Sequence, residues 1–399
     1  MIVGKPWQVR AWAPGRTEIA GNHTDHQGGR VVSAAVTQGV AMMLRENGTR
    51  AARVESDGYE PFEIDIRSTE PVAGERNATP SLVRGATAGL RAAGVPVAGF
   101  DARVSSTLPV GGGMSSSAAF ELALARGLAV LFDPKHAPAS AQGNPWLEPS
   151  AGLSTADFAH IAVDAERRYF GKPCGFQDQT ASAFGGICDM DFRDLENPAA
   201  AHIDFDFESR GYRIALIDTH ADHSAHTGDF NRLVEDMRSV ARFFGEDVLG
   251  RIAPERFFRH LAEARGALGD AAVLRAWHYF TEAGLVDRRA AALRAGDMQA
   301  FLRATRASAE SSAEYLQNVA VPGDRNQPAM VALAACRHVL AGRGAARIHG
   351  GGFGGTIQAY VPQAVAGEFS EGIRALLGTG VCSFVEVSQR GAFAERLGG

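Results

Sequence analysis

The sequence predicts a two-domain globular protein that mixes strands and helices, on three observations. It has 399 residues, of which 45% are apolar and 21% charged, a globular composition too long for one ordinary domain. An extended run, a triple-glycine loop and an Ala/Leu-rich helical run follow one another from Ala102 to Phe132. From about Asp191 the texture changes to paired extended runs and then long amphipathic helices, so the domains are expected at 1–190 and 191–399.

Composition excludes several classes. The formal charge of −5 gives no case for nucleic acid as a partner. No run approaches the roughly 18 apolar residues of a membrane helix, and Met1 to Arg10 has no apolar stretch of signal-peptide length. The cysteines Cys174, Cys188, Cys336 and Cys382 are scattered without a C-x-x-C pair, which fits reduced thiols and a cytoplasmic setting.

In chain order, Gln8 to Ala13 is extended and ends at Pro14-Gly15. A polar, glycine-punctuated stretch follows, from Gly15 to Gly29, with Arg16, Asn22, His23, Thr24, Asp25 and His26. Such an array can hold several hydroxyls in fixed directions, as a sugar presents them, or it can be a polar turn. Arg16 offers a guanidinium whose geometry matches a transferring phosphoryl group. His23, Asp25 and His26 lack the further ligands that a metal site needs.

Val31 to Leu44 reads as a strand, and Arg53 to Ile66 as a strand folded at Asp57-Gly58. Ser81 to Ala93 has helical spacing and Gly94 is its stop. The loop Gly111-Gly112-Gly113-Met114-Ser115-Ser116-Ser117 then opens the helix Phe120 to Phe132. Glycines let backbone N–H groups approach a ligand closely. The following helix N-terminus favours an anion such as phosphate, and its serines could cap the helix or ligate a metal.

Two familiar phosphate loops are excluded. None of Lys5, Lys135 and Lys172 follows these glycines, as a Walker A loop requires. The spacing G-x-G-x-x-G occurs at Gly350 to Gly355, but the strand-like run Thr356 to Val361 follows it, where a dinucleotide fold needs a helix.

Residues 133–154 read as an exposed connection. Thr155 to Tyr169 is a helix capped by Ser154 or Thr155, with Glu166 on the face of Ala159, Ala162 and Val163. In Gly175-Phe176-Gln177-Asp178-Gln179, Asp178 suits either a general base held between donors or an ordinary N-cap. Ala201 to Phe207 and Tyr212 to Asp218 read as paired strands, and Thr219 to Phe230 as a polar loop near the site. Leu233 to Phe244, Pro254 to Leu268, Leu274 to Arg294, Asp297 to Leu316 and Pro328 to Leu340 are helical packing elements. After the late glycine loop, Val365 to Leu376 is a helix and Cys382 to Val387 a last strand.

Four motifs in order, G-R-T-E-I-A-G-N-H-T-D, P-V-G-G-G-M-S-S-S-A-A, G-F-Q-D-Q and H-G-G-G-F-G-G, resemble those of the GHMP kinases, and among them most the galactokinases. The resemblance spans Gly15 to Gly355. It implies an α+β fold of two domains with the active site in the cleft between them. It implies ATP on Gly111, Gly112, Gly113, Met114, Ser115, Ser116 and Ser117, Mg²⁺ on Ser117 and Glu166, and Asp178 as the catalytic carboxylate beside Arg16. Asn22, His23, Thr24, Asp25 and Phe230 would hold the sugar of a monomeric sugar 1-kinase. The galactokinase pattern has Glu at Asn22 and Tyr at both His26 and Phe230, which puts the sugar's identity in question. A kinase for a related sugar and a non-catalytic sugar sensor are the alternatives.

Overall fold

The structure is a computed structural model that describes residues 6–109, 113–136, 146, 152–172, 174–221, 227–353 and 355–398. In its first half the strands are β1 (Val9–Ala20), β2 (Arg30–Glu46), β3 (Ala51–Ser56) and β4 (Phe62–Asp65), then helix α1 (Thr79–Ala92), β5 (Phe100–Ser106) and α2 (Ser116–Phe132). Helices α3 (Thr155–Asp164) and α4 (Gln177–Phe184), then strands β6 (Ile187–Asp191), β7 (Ala199–Ile203) and β8 (Tyr212–Asp218), follow. The second half begins with helices α5 (Thr227–Phe243), α6 (Pro254–Arg259), α7 (Leu261–Leu268), α8 (Asp270–Ala295), α9 (Met298–Ser311) and α10 (Pro328–Leu340). It ends with β9 (Ala345–Ile348), β10 (Thr356–Pro362), α11 (Ala366–Leu377), β11 (Cys382–Val385) and β12 (Phe393–Arg396).

A large sheet runs β12-β1-β2-β5-β3-β4, with β6 on the other half of β2 and β7 beyond β6. β2 reaches both groups because it is long: Val40–Glu46 pair with β5, and Arg30–Ala34 with β6. Helix α2 is apolar nearly all round and accordingly lies buried, packed on β1, β2 and β12. A second sheet, β11-β8-β10-β9, is covered by α10 and α11. The main core is continuous across both sheets, joining Val9, Leu44 and Leu128 to Phe207, Phe301 and Tyr360. Among the described residues no helix is long and apolar enough to cross a membrane.

Several expectations are corrected. The strand expected to end at Pro14-Gly15 continues to Ala20, because register shifts between Pro14 and Arg16 and between Glu18 and Ala20 absorb the kink without ending the ladder. Ala199–Ile203 does not pair with Tyr212–Asp218. It pairs with β6, while β8 pairs with β10 and β11. β6 ends at Asp191, beside the expected division at 190, and β7 and β12, which lie beyond it in the chain, belong to the first sheet. Pro254 to Leu268 is two helices, with His260 between them in a non-helical conformation. Residues 137–145 and 147–151, most of the expected exposed connection, lie outside the described residues.

Candidate active site

The register shift in β1 places Arg16 at the centre. Its Nε donates to Asp178 Oδ1 at 2.8 Å, and its Nη1 donates to the Gly113 carbonyl. Ser115 donates its hydroxyl to the other carboxylate oxygen, Asp178 Oδ2, at 2.5 Å. Ser115 is the N-cap of α2 but makes no side-chain cap bond, and its backbone is left-handed at φ 56°. A non-glycine residue held there is strained, and the hydroxyl that could have capped the helix faces Asp178 instead. Gly111 and Gly112 of the expected phosphate loop lie outside the described residues. Of the remainder, Gly113 is exposed and Met114 is buried in the core beneath.

Asp178 sits in the first turn of α4. Burial alone would raise its pKa. The charges of Arg16 and Lys172 and the Ser115 hydroxyl outweigh that and hold it below the ordinary carboxylate value.

Behind it lies an oxygen-rich pair. Ser117 donates to Glu166 Oε1 at 3.0 Å, Lys172 donates to the same oxygen at 2.8 Å, and Gln179 donates to Oε2 at 2.7 Å. The helix expected through Tyr169 is α-helical only to Asp164. Ala165–Phe170 form a π turn, and the Gly171 and Lys172 amides both donate to the Glu166 carbonyl. Glu121 is four residues after Ser117 on α2 and is fully buried. Burial, then the charge of Glu166, pushes its carboxyl well above the usual range. Sequence reasoning missed Lys172, Gln179 and Glu121. The i, i+4 spacing of Ser117 and Glu121 was the available signal.

The Asn22 to Asp25 stretch divides by what each side chain already holds. Asn22 is fully buried; its amide donates to the Gly350 carbonyl at 2.6 Å, and its carbonyl oxygen accepts from Asn318 at 2.9 Å. The Thr24 hydroxyl lies 2.7 Å from the Arg30 carbonyl at the start of β2 and 3.0 Å from the Gly21 carbonyl, sharing its one proton between them. These two side chains shape the loop. His23 Nε2 lies 2.9 Å from the Gly351 carbonyl, and its Nδ1 lies 3.1 Å from His26 Nε2. A carbonyl can only accept, so His23 carries its proton on Nε2 and accepts at Nδ1 from His26. Burial and mutual repulsion press the pKa of His23 to about 4, and burial with the Arg238 charge does the same for His26. Asp25 is half-buried, and its Oδ2 lies 3.2 Å from where a side chain on Gly175 would stand. Burial raises it to about 6, against the opposing His26 N–H and the nearby imidazole of His23. Phe230, in the first turn of α5, is exposed and stands 5.2 Å from the His23 ring.

The arrangement joins a carboxylate, a guanidinium and a glycine loop at a helix N-terminus, with a hydroxyl–carboxylate pair behind. Such a set is suited to holding a negatively charged group beside a carboxylate that can orient a hydroxyl.

Comparison with known proteins agrees. Residues 81–186 match the family described as GHMP kinases N terminal domain, and residues 2–46 match the galactokinase galactose-binding signature. The chain is 30% identical over 357 residues to the galactokinase of Actinobacillus pleuropneumoniae serotype 5b (strain L20), covering 88% of this chain and 84% of that one. It is 30% identical over 294 residues to the galactokinase of Streptomyces coelicolor, covering 72% and 70%. The Lactococcus lactis galactokinase solved with galactose superposes with a TM-score of 0.79 at 22% identity, covering 96% of this chain and 94% of that one. The mevalonate kinase of L. major superposes at 0.62 with 16% identity over 98% and 97%. These two likenesses speak for the fold.

Proposed function

The chain belongs to the galactokinase family of GHMP kinases, and on that premise we propose that it transfers the γ-phosphoryl of ATP to the anomeric hydroxyl of galactose. The observation that carries the reading is the Asp178 carboxylate held between Arg16 and Ser115, at the mouth of the glycine loop. Asp178 orients the hydroxyl and accepts its proton as the oxygen attacks in line. Arg16, Lys172 and the Ser115 hydroxyl keep it ionised, so it can both orient the hydroxyl and take its proton. Arg16 neutralises charge on the transferring group, and the N-terminus of α2 adds its dipole.

The donor set behind Asp178 fits a magnesium ion. Mg²⁺ takes hard oxygen ligands, commonly one or two carboxylates with phosphate and water, and the Ser117 hydroxyl and Glu166 carboxylate are adjacent. Those two would hold it, and it would screen the phosphate charge. Lys172, on the same Glu166 oxygen, keeps that charge partly balanced before metal and nucleotide arrive.

A second reading keeps the chemistry and changes the acceptor. Asn22 is engaged internally and Phe230 presents a ring without a hydroxyl, so the sugar side offers fewer free polar groups than the four-residue loop suggested. A site that lacks the partner of a substrate hydroxyl discriminates differently. The test is ADP release with Mg·ATP against galactose, N-acetylgalactosamine, glucose, talose and arabinose. Preferred turnover of galactose is expected. Preference for another sugar would move the chain to the second reading, and silence across the panel would refute both.

A further inference from the structure

The base of the late glycine loop holds two buried groups that the reaction described above does not use. His349 and Thr356 flank that loop and are paired across it, the His349 amide donating to the Thr356 carbonyl at 3.0 Å. Both side chains are almost completely buried, 3% and 2% exposed. Their polar atoms face Gly113. A side chain on that glycine would meet His349 Nδ1 at 3.4 Å and Thr356 Oγ1 at 3.7 Å.

The tautomer of His349 follows from its other face. The Glu18 backbone N–H donates to Nε2 at 3.1 Å. A backbone N–H can only donate, so Nε2 carries a lone pair and the proton of the neutral ring is on Nδ1. Thr17 is consistent with this, since its hydroxyl accepts from Gln358 at 2.7 Å and stands 3.1 Å from Nε2 with its own proton to give. Burial, then the nearby charge of Arg16, presses the ring's pKa down to about 3, so the neutral form persists. Nδ1–H therefore points toward the phosphate loop, and no hydrogen bond from it is found among the described residues. The Thr356 hydroxyl is buried and has no partner among the described residues. Leaving a buried hydroxyl unpaired costs about 1–3 kcal/mol, and with His349 Nδ1–H facing the same glycine the two donors call for an acceptor.

We propose that His349, fixed as its Nδ1–H tautomer, and the Thr356 hydroxyl are the far half of the phosphate site, donating to a phosphate oxygen of the nucleotide seated on Gly113 to Ser117. This rests on the nucleotide placement proposed above. Arg16 approaches Gly113 from its carbonyl side, and these two donors approach from the side where the glycine lacks a Cβ. The late loop thus binds the nucleotide directly, in addition to bracing the loop that does.

The test uses the full chain labelled with ¹⁵N in its histidine rings. The free protein should show His349 as the neutral Nδ1–H tautomer, and its Nδ1–H signal should move when Mg²⁺ and inorganic tripolyphosphate are added. His349→Ala and Thr356→Val should each weaken Mg·ATP binding, measured by calorimetry without sugar, by about tenfold, the size of one charge-assisted hydrogen bond. Thr356→Ser should restore it, and KM for the sugar should hold within about twofold. An Nε2–H tautomer, unchanged Mg·ATP affinity, or equal losses toward sugar and nucleotide would overturn the proposal. If His349→Ala fails to fold, the Thr356→Val and Thr356→Ser pair decides the matter. The binding measurements need no acceptor. A chain that binds Mg·ATP through these groups but phosphorylates no sugar refutes the proposed function alone.

Discussion

Asp178 shows how single residues acquire roles from their partners. As a free helix cap it would accept backbone N–H groups; here both oxygens are held by side chains from β1 and from the start of α2. Asp178→Asn keeps the shape and the hydrogen bonds available to an amide, and removes the charge and the proton acceptor. Turnover should fall by about a hundredfold or more while ATP affinity stays close to that of the parent, and near-normal kcat in that variant would exclude Asp178 as the acceptor. Asp25 yields a pH prediction. Its pKa of about 6 lies above the ordinary value because of burial, so acidification protonates it before the exposed carboxylates. The protonated acid no longer offers a charged acceptor to a sugar hydroxyl. KM for the sugar should therefore rise as pH falls through about 6. In Asp25→Asn that limb should vanish, and a limb that survives would assign it to another group.

At the level of elements, the site depends on three local irregularities: the register shift in β1, the left-handed Ser115, and the π turn at Ala165–Phe170. Each re-aims a functional side chain out of a regular ladder or helix. The π turn is held from behind by α1. A Cβ on Gly85 would lie 2.7 Å from both Cα and Cβ of Ala165 and 3.0 Å from Tyr169. Backbone cannot yield as a flexible side chain can. Gly85→Ala should thus cost about 1–3 kcal/mol of stability and displace Glu166, visible as a lower melting temperature with a raised Mg²⁺ requirement. A variant with unchanged melting and unchanged Mg²⁺ dependence would show that the turn is not braced there. By contrast the sequence narrowed the cap of α3 to Ser154 or Thr155, and it is Ser154. Ser154 and Asp157 exchange bonds as a capping box, with Ser154 accepting from the Asp157 amide at 3.1 Å and donating its own amide to Asp157 Oδ2 at 2.8 Å.

Over the whole molecule, the two sheets are joined by a buried polar seam. Arg347 of β9 is fully buried and pairs with Glu18 of β1, while Gln177 reaches the other oxygen of Glu18 from α4 at 3.4 Å. Burial works against the Glu18 charge, but Arg347 prevails and lowers its pKa to about 2. A carboxylate depressed in the folded state contributes stability above its ordinary pKa and loses it as pH falls below that value. Arg347→Met leaves the Glu18 charge buried alone and should destabilise the protein by about 3–5 kcal/mol, with the loss recovered in part by adding Glu18→Gln. Chemical denaturation of the single and double variants measures this, and full additivity of the two losses would show that the pair does not act as a unit. A second seam, Glu282 with Arg289, receives the Gly21 and Asn22 amides, tying the same loop to α8.

What the sequence determined by itself was whatever is local. Glycine clusters, serine caps and helical periodicity settled the main strands and helices, because each depends on neighbours a few residues away, and the order of four motifs pointed to the family and to the candidate site residues. What only the tertiary structure decided was the work of side chains whose partners lie far along the chain. Asn22 read as a sugar ligand and is engaged by Gly350 and Asn318; Lys172 was read only as a lysine in the wrong place for a phosphate loop and sits on Glu166. Strand pairing belongs with these, since Ala199–Ile203 had an apparent mate just downstream and took β6 instead. Buried charge and hydrogen-bond geometry depend on three-dimensional neighbours and on exclusion of water, and neither is written in a linear pattern.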